Sequence, residues 1–205
     1  VVMMSRLLER HEFTKVVHLR TENFDRCVNE GRGAIVVVSH QGNWEMIGVA
    51  CTLAGYPVHS LMRPIDNPWI DAYLRHFRTH TGQTMIPRDR ALGEMIRVLQ
   101  RKKFLIVQVD QDARESAIYV NFFGRPACTT TVAAAPALKT GCAIVPGYCV
   151  LQRHGRYRMS YGPPVEVSRG GGRDEDIAAL TQQLTTIVEG WIRETPAQCV
   201  WLYTR

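Results

Sequence analysis

Two apolar runs stand out along the chain, Ala34-Ile35-Val36-Val37-Val38 and Phe104-Leu105-Ile106-Val107-Gln108-Val109. Consecutive apolar, largely β-branched positions over this length predict strands buried on both faces, as in a parallel sheet covered by helices. Around them, helical and extended patterns alternate. Trp44 to Ala54 predicts a helix capped by Asn43 and ended by Gly55. Pro57 to Met62 predicts a strand, and Asp66-Asn67-Pro68 a capped helix start with proline at its first position, running to Thr81-Gly82. Thr84 to Pro87 reads as extended, Asp89 to Lys102 as a helix, Ile118 to Phe122 as extended and Thr130 to Lys139 as a helix. Ala143 to Leu151 predicts a strand, joined by a turn at His154-Gly155 to another at Tyr157 to Tyr161. Beyond Gly170-Gly171-Gly172 a last helix spans Asp174 to Glu194, and Val200-Trp201-Leu202-Tyr203 reads as a closing strand. This order predicts one α/β domain over residues 1–205, a sandwich with a central, largely parallel sheet flanked by helices.

Composition narrows the class without choosing a function. The chain has 205 residues, 45% of them hydrophobic and 21% charged, which suits an ordinary globular core and excludes a disordered or low-complexity chain. A net charge of +6 favours acidic partners such as phosphates, nucleic acid, anionic lipid or an acidic carrier protein. No run approaches the roughly 18 apolar residues of a membrane span, and no signal peptide is visible. The six cysteines form no CxxC pair and read as reduced core thiols of a cytoplasmic protein. His76 and His80 lie one helical turn apart, but no acidic or thiol third ligand stands nearby, so they read as surface histidines.

Chemistry concentrates where the first apolar run ends, in Ser39-His40-Gln41-Gly42-Asn43-Trp44-Glu45. A histidine at the carboxyl end of a buried strand lies where open α/β sheets bind ligands. Glu45, in the first turn of the following helix, is placed to fold back toward His40 and orient it. A carboxylate bonded to one imidazole nitrogen fixes the tautomer and leaves the other nitrogen to take a proton from an attacking hydroxyl. The same spacing also describes a satisfied strand-end histidine beside an ordinary first-turn acid. Three further spots put polar residues at the ends of strands. Arg63, with Asn67 shortly after it, is a candidate clamp for an anion or a carbonyl oxygen, as is Arg88 in Pro87-Arg88-Asp89-Arg90. Asp110 ends the second apolar run and needs a partner, for which Arg63 is a candidate. Phe122-Phe123-Gly124 offers an aromatic wall and a tight turn beside a ligand, and the amides around Thr129-Thr130-Thr131 an anion site.

Taken in order, GRGAIVVVSHQGNWE (31–45), RPIDNP (63–68), IPRDRALGEMIRVLQ (86–100), VDQD (109–112), VNFFGRPACTTTVAAAPALKTGCAIVP (120–146) and VWLYTR (200–205) resemble the lipid A biosynthesis acyltransferase family, within the lysophospholipid acyltransferase superfamily. The resemblance covers nearly all of the chain from Gly31 onward. It implies transfer of a fatty acyl chain from acyl carrier protein or acyl-CoA to a hydroxyl of a glycolipid, with no separate cofactor, no metal and no nucleic acid. It implies that His40 is the general base and Glu45 its orienting acid in an H-x4-D/E motif. By the same resemblance Arg63, Asn67, Arg88, Asp110, Phe122 and Gly124 belong to blocks that line the site. Backbone amides from Gln41 to Trp44, or Arg63, would receive the oxyanion. Met46, Leu61, Phe104 and Phe122 are candidate walls for the acyl chain. Members usually bear an N-terminal hydrophobic anchor, which this chain does not show, so either the sequence is a fragment or the protein meets the cytoplasmic face of the cell inner membrane peripherally, through its surface alone. No GxSxG elbow is present, which argues against a serine hydrolase of the α/β-hydrolase type. A catalytically silent lipid- or carrier-binding module, and thioester hydrolysis by the same dyad, remain as alternative readings.

Overall fold

All five residues of the strand Ala34–Val38 are buried, as are the first four of Phe104–Gln108. Strands without a solvent face need cover on both sides, and the fold supplies it. The computed structural model describes residues 10–62, 64–87, 91–111, 117–167 and 169–201. In chain order the elements are α1 (Arg10–Val16), β1 (Val17–Arg20), α2 (Glu22–Asn29), β2 (Ala34–Val38), α3 (Glu45–Leu53), β3 (Val58–Met62), α4 (Pro68–His80), β4 (Thr84–Pro87), α5 (Ala91–Gln100), β5 (Phe104–Gln108), β6 (Ala117–Phe122), β7 (Arg125–Thr130), α6 (Ala134–Thr140), β8 (Ala143–Leu151), β9 (Tyr157–Tyr161) and α7 (Arg173–Glu194).

Seven strands form one sheet in the order β1-β9-β8-β2-β5-β3-β4. The five from β8 to β4 are mutually parallel, while β9 returns antiparallel to β8 and β1 pairs parallel with β9. Alternation along β2 divides the core. Ala34, Val36 and Val38 pack with residues of α1, α2 and α3, whereas Ile35 and Val37 pack with residues of α5, α6 and α7. The long helix α7 turns Leu180, Leu184, Val188 and Ile192 inward at four-residue spacing, with three acids in its first turn complementing the helix dipole.

A separate two-stranded ribbon, β6 and β7, rests on α7. Phe123 and Gly124 both take positive φ, 52° and 79°, which suits the right-handed twist of a two-residue hairpin. Phe123 holds this conformation because its amide donates to Glu189 at 2.8 Å and Arg193 lies over its ring at 4.7 Å.

From β2 onward the sheet and most helices match the sequence-based expectation, whereas α1, β1 and α2 were not anticipated. Residues 125–130 form β7 where a helix was expected from Thr130, and α6 begins only at Ala134. Pro126 masks the strand pattern and is tolerated because the ribbon is two-stranded, leaving its missing N–H on an edge. Val200 is not in a strand; the chain after α7 makes a short 3-10 turn, Pro196–Gln198, and Leu202 and Tyr203 lie outside the described residues. The helix after His40 is capped at Trp44, not Asn43, without a side-chain hydrogen bond. Asp89 also lies outside the described residues.

Candidate active site

Register alone brings two site residues together. Every β2–β5 pair, from Ala34↔Phe104 to Val38↔Gln108, joins residues 70 apart. Two residues farther on, the same offset of 70 sets His40 against Asp110. The ladder continues between them, with Val109 N–H donating to Val38 O at 3.2 Å. Asp110 is 8% exposed and His40 6%, so the carboxylate needs strong donors in place of water. It has two from one residue: the His40 backbone N–H at 2.5 Å and the ring Nδ1 at 2.7 Å. A carboxylate only accepts, so Nδ1 carries the proton in this bond. The Gln111 side-chain amide lies 3.5 Å from Nε2, too long for a firm hydrogen bond. The Trp44 ring stands edge-on to the imidazole at 4.8 Å.

Glu45 is engaged elsewhere than expected. Its carboxylate receives a fork from Arg78 of α4, Nε at 3.0 Å and a terminal nitrogen at 2.5 Å, with both side chains largely buried. The carboxylate that grips the His40 ring is therefore Asp110, and Asp110 meets His40 where Arg63 was the anticipated partner. Arg78 had no signal in the sequence, being one arginine in a helix that also holds Arg75. Asp110 was seen as a strand-end acid, and the signal that links it to His40 is that each lies equally far from the start of its apolar run, at Phe104 and Ala34.

The loop after His40 is fixed from behind. Gln41 is buried, and its side-chain amide donates to Trp191 O at 2.8 Å and Thr195 Oγ1 at 2.5 Å, at the end of α7. Val200 N–H donates to His40 O at 2.9 Å, and Gly42 N–H to Gln198 O at 2.8 Å. Gly42 has φ +61°, and a Cβ there would lie 2.0 Å from Cys149 O, so only glycine fits. Asn43 N–H donates to that same Cys149 oxygen at 2.8 Å. The amides of Gly42 and Asn43 are thus committed to structure and are unsuited to receiving an oxyanion. Of the donors expected, the amides of Gln41 and Trp44 remain candidates, while Arg63 and Arg88 lie outside the described residues.

The other expected site residues fall into structural roles. Asn67 caps α4, accepting from Trp69 N at 3.0 Å and Ile70 N at 3.3 Å. Phe122 packs half-buried against the core and edge-on to Phe123, and Gly124 makes the ribbon turn. Met46 and Phe104 are closed into the core. Leu61 instead lines a small solvent-open crevice of about 10 Å³ that also touches Trp44, Glu45, Arg78 and Gln108. A space of that size holds one water at most, so this crevice is not an acyl channel. Burial pushes the Cys149 thiol, beneath the loop, up to about 12, which keeps it protonated and unreactive. None of the six cysteines is in a disulfide, and Cys27, Cys51, Cys142 and Cys149 are buried. His76 and His80 are exposed and stack with ring centres 5.7 Å apart. Among the described residues no group of three or more His, Cys, Asp or Glu is arranged to hold a metal ion.

Known acyltransferases resemble this chain along most of its length. A phosphatidylinositol mannoside acyltransferase of Mycolicibacterium smegmatis is 25% identical over 175 residues, covering 83% of this chain and 56% of the relative. A protein of the same description from Mycobacterium tuberculosis is 23% identical over 80% of this chain and 51% of its own length. A lipid A biosynthesis acyltransferase of Haemophilus influenzae is 22% identical over 96% of this chain and 59% of the relative. The chain thus spans little more than half the length of these relatives. Residues 4–205 match the family described as bacterial lipid A biosynthesis acyltransferase, and the chain belongs to that family.

Proposed function

We propose that this chain catalyses O-acyl transfer, moving a fatty acyl group from an acyl thioester, on acyl carrier protein or coenzyme A, to a hydroxyl of a glycolipid such as a lipid A precursor. The observation that carries this reading is the His40–Asp110 pair, in which Nδ1 is bonded to the carboxylate at 2.7 Å and the imidazole is thereby oriented to act as a base through Nε2. In the reaction, Nε2 takes the proton of the acceptor hydroxyl as its oxygen attacks the thioester carbonyl carbon. The carbonyl π electrons move to oxygen, and the Gln111 amide and the amides of Gln41 or Trp44 are the candidate donors to it. As the carbonyl re-forms, the C–S bond breaks and the sulfur leaves with the proton held on Nε2. Asp110 keeps the imidazole oriented and stabilises its cation, while Glu45 and Arg78 brace the entry to α3 beside it. The acceptor supplies the nucleophile, so no covalent acyl-enzyme is required; the protonated state of the Cys149 thiol is consistent with that.

The relatives' names, for a phosphatidylinositol mannoside and for lipid A, support a glycolipid acceptor. The net charge of +6 suits both a phosphorylated glycolipid and an acidic carrier protein, and the cytoplasmic face of the inner membrane is where such substrates meet. The test is acyl transfer from acyl carrier protein and acyl-CoA to a lipid A precursor and a phosphatidylinositol mannoside, read by mass spectrometry. His40→Ala should lower product formation about a thousandfold with an unchanged thermal midpoint. Near-normal turnover by that variant would sink the reading. Donor consumed without acylated product would point to hydrolysis by the same pair, and no consumption of any donor to a binding module.

A further inference from the structure

We propose that the amino-terminal half of α4 seats the protein on the headgroup layer of an anionic lipid bilayer, at the end of the sheet that carries His40 and Asp110. Of the thirteen residues of α4 only Phe77 is buried. Its first two turns expose Trp69 at 84%, Ile70 at 50% and Tyr73 at 39%. Positions 69, 70 and 73 share one helix face. Ile65, 39% exposed, is drawn against the same turns by its N–H, which donates to Asp71 Oδ1 at 2.9 Å. Three large apolar side chains on α4, with Ile65 just before it, are therefore exposed at a helix that buries only Phe77. Scattered apolar residues need no explanation, but a contiguous group of this size calls for a partner.

Chemistry and position select the partner. Tryptophan and tyrosine combine an apolar ring with a polar tip and favour the boundary between hydrocarbon and water. Among the described residues no helix is long and apolar enough to cross a membrane, so this face would lie in the boundary layer instead. β3 runs parallel to β2 and β5, and α4 sets off from its carboxyl end. Trp69 and Ile70 consequently stand at the dyad's end of the molecule, so a bilayer touching them lies on the side from which an acceptor lipid reaches His40. This last step rests on the acyltransferase reading; the docking itself does not. The net charge of +6 draws the chain toward anionic headgroups. An acidic carrier protein would be held by charged contacts, whereas the exposed face of these two turns is made by Trp69, Ile70 and Tyr73. A second copy of the chain fits less well too. Two helical turns span about 11 Å, too small a footing for the roughly 800 Å² per partner of a stable interface.

The experiment is co-sedimentation of the purified chain with vesicles of phosphatidylcholine and phosphatidylglycerol. Trp69→Ser/Tyr73→Ser should reduce the bound fraction's partition constant about tenfold, with an unchanged thermal midpoint. Brominated lipid should quench part of the tryptophan emission of the unaltered chain, and that part should vanish in Trp69→Phe, leaving Trp44, Trp191 and Trp201 as reporters. His40→Ala should bind vesicles as the unaltered chain does, so docking and chemistry are read separately. If no acyl donor is ever used but Trp69-dependent vesicle binding is seen, the docking stands and the acyltransferase reading falls. The proposal is overturned if the unaltered chain stays in the supernatant or if the double variant partitions equally well. It is also overturned if the double substitution abolishes a dimer or a complex with acyl carrier protein while vesicle binding is unaffected.

Discussion

Two buried acid–base pairs sit at the same end of the sheet and are held in different ways. His40 and Asp110 extend adjacent strands, and their spacing follows from a backbone ladder whose residues are buried on both sides. Glu45 and Arg78 lie on α3 and α4, and the second of these helices contributes one buried side chain to the core. The first pair is therefore set by the sheet before any side chain chooses a rotamer. The second must itself help to hold α4 in place, since little hydrophobic contact does so.

Substitutions that spare one pair and break the other sharpen the contrast. The largest effect is expected for Asp110→Asn, which keeps the shape but offers Nδ1 a donor instead of an acceptor. The proton then moves to Nε2, and acyl transfer should fall about a thousandfold, read in the transfer assay, while the strand register is unaffected. Arg78→Met should act on stability instead. It leaves Glu45 buried without its counter-charge, a loss of about 3 kcal/mol or more measurable by urea unfolding. Glu45→Gln/Arg78→Met should recover much of that loss, and strict additivity of the two single changes would show that the pair does not brace α4. Gly42→Ala tests the rear support of the dyad loop. The new Cβ meets Cys149 O and the residue keeps a positive φ, so a loss of about 2–3 kcal/mol is expected in the same assay.

The smallest effect comes from a histidine that lacks a carboxylate. His59 in β3 is buried, and its Nδ1 has no hydrogen-bond partner. Burial, with nearby Lys103, lowers its pKa from the usual histidine value. The unfolded chain accepts this proton near about pH 6.5, before the folded one does, so the unfolded state binds more protons there. Stability should then be full above that range and decline as pH falls through it, by at most about 1.4 kcal/mol per pH unit. His59→Gln should flatten that part of the profile.

Much of this was legible in the sequence, for reasons that differ by element. β2, β5, β8 and β9 carry enough apolar density to be read directly, and the Asn67-Pro68 cap marks the start of α4. β7 was hidden because Pro126 and the run of threonines imitate a helix start. The position of His40 at a strand end was visible, but its acid was not, because Glu45 is near in sequence and Asp110 is 70 residues away. Local spacing favours the near acid; only pairing of the two strands chooses the far one. Arg78 and the anchoring of Gln41 by Thr195 belong to contacts that no periodicity encodes.

The shared offset of 70 has a consequence for how this protein tolerates change. The stretch between Val38 and Phe104 is free to gain or lose residues in its turns without altering the distance between base and acid, because that distance is counted along the strands and not along the chain. A deletion inside either strand before its polar end does the opposite. It would slide Asp110 past His40 by one step and turn the apolar side chains beyond it toward the wrong layer. Loss of activity and loss of the fold are therefore one event at these strands, whereas the turns between them can vary without moving the base relative to its acid.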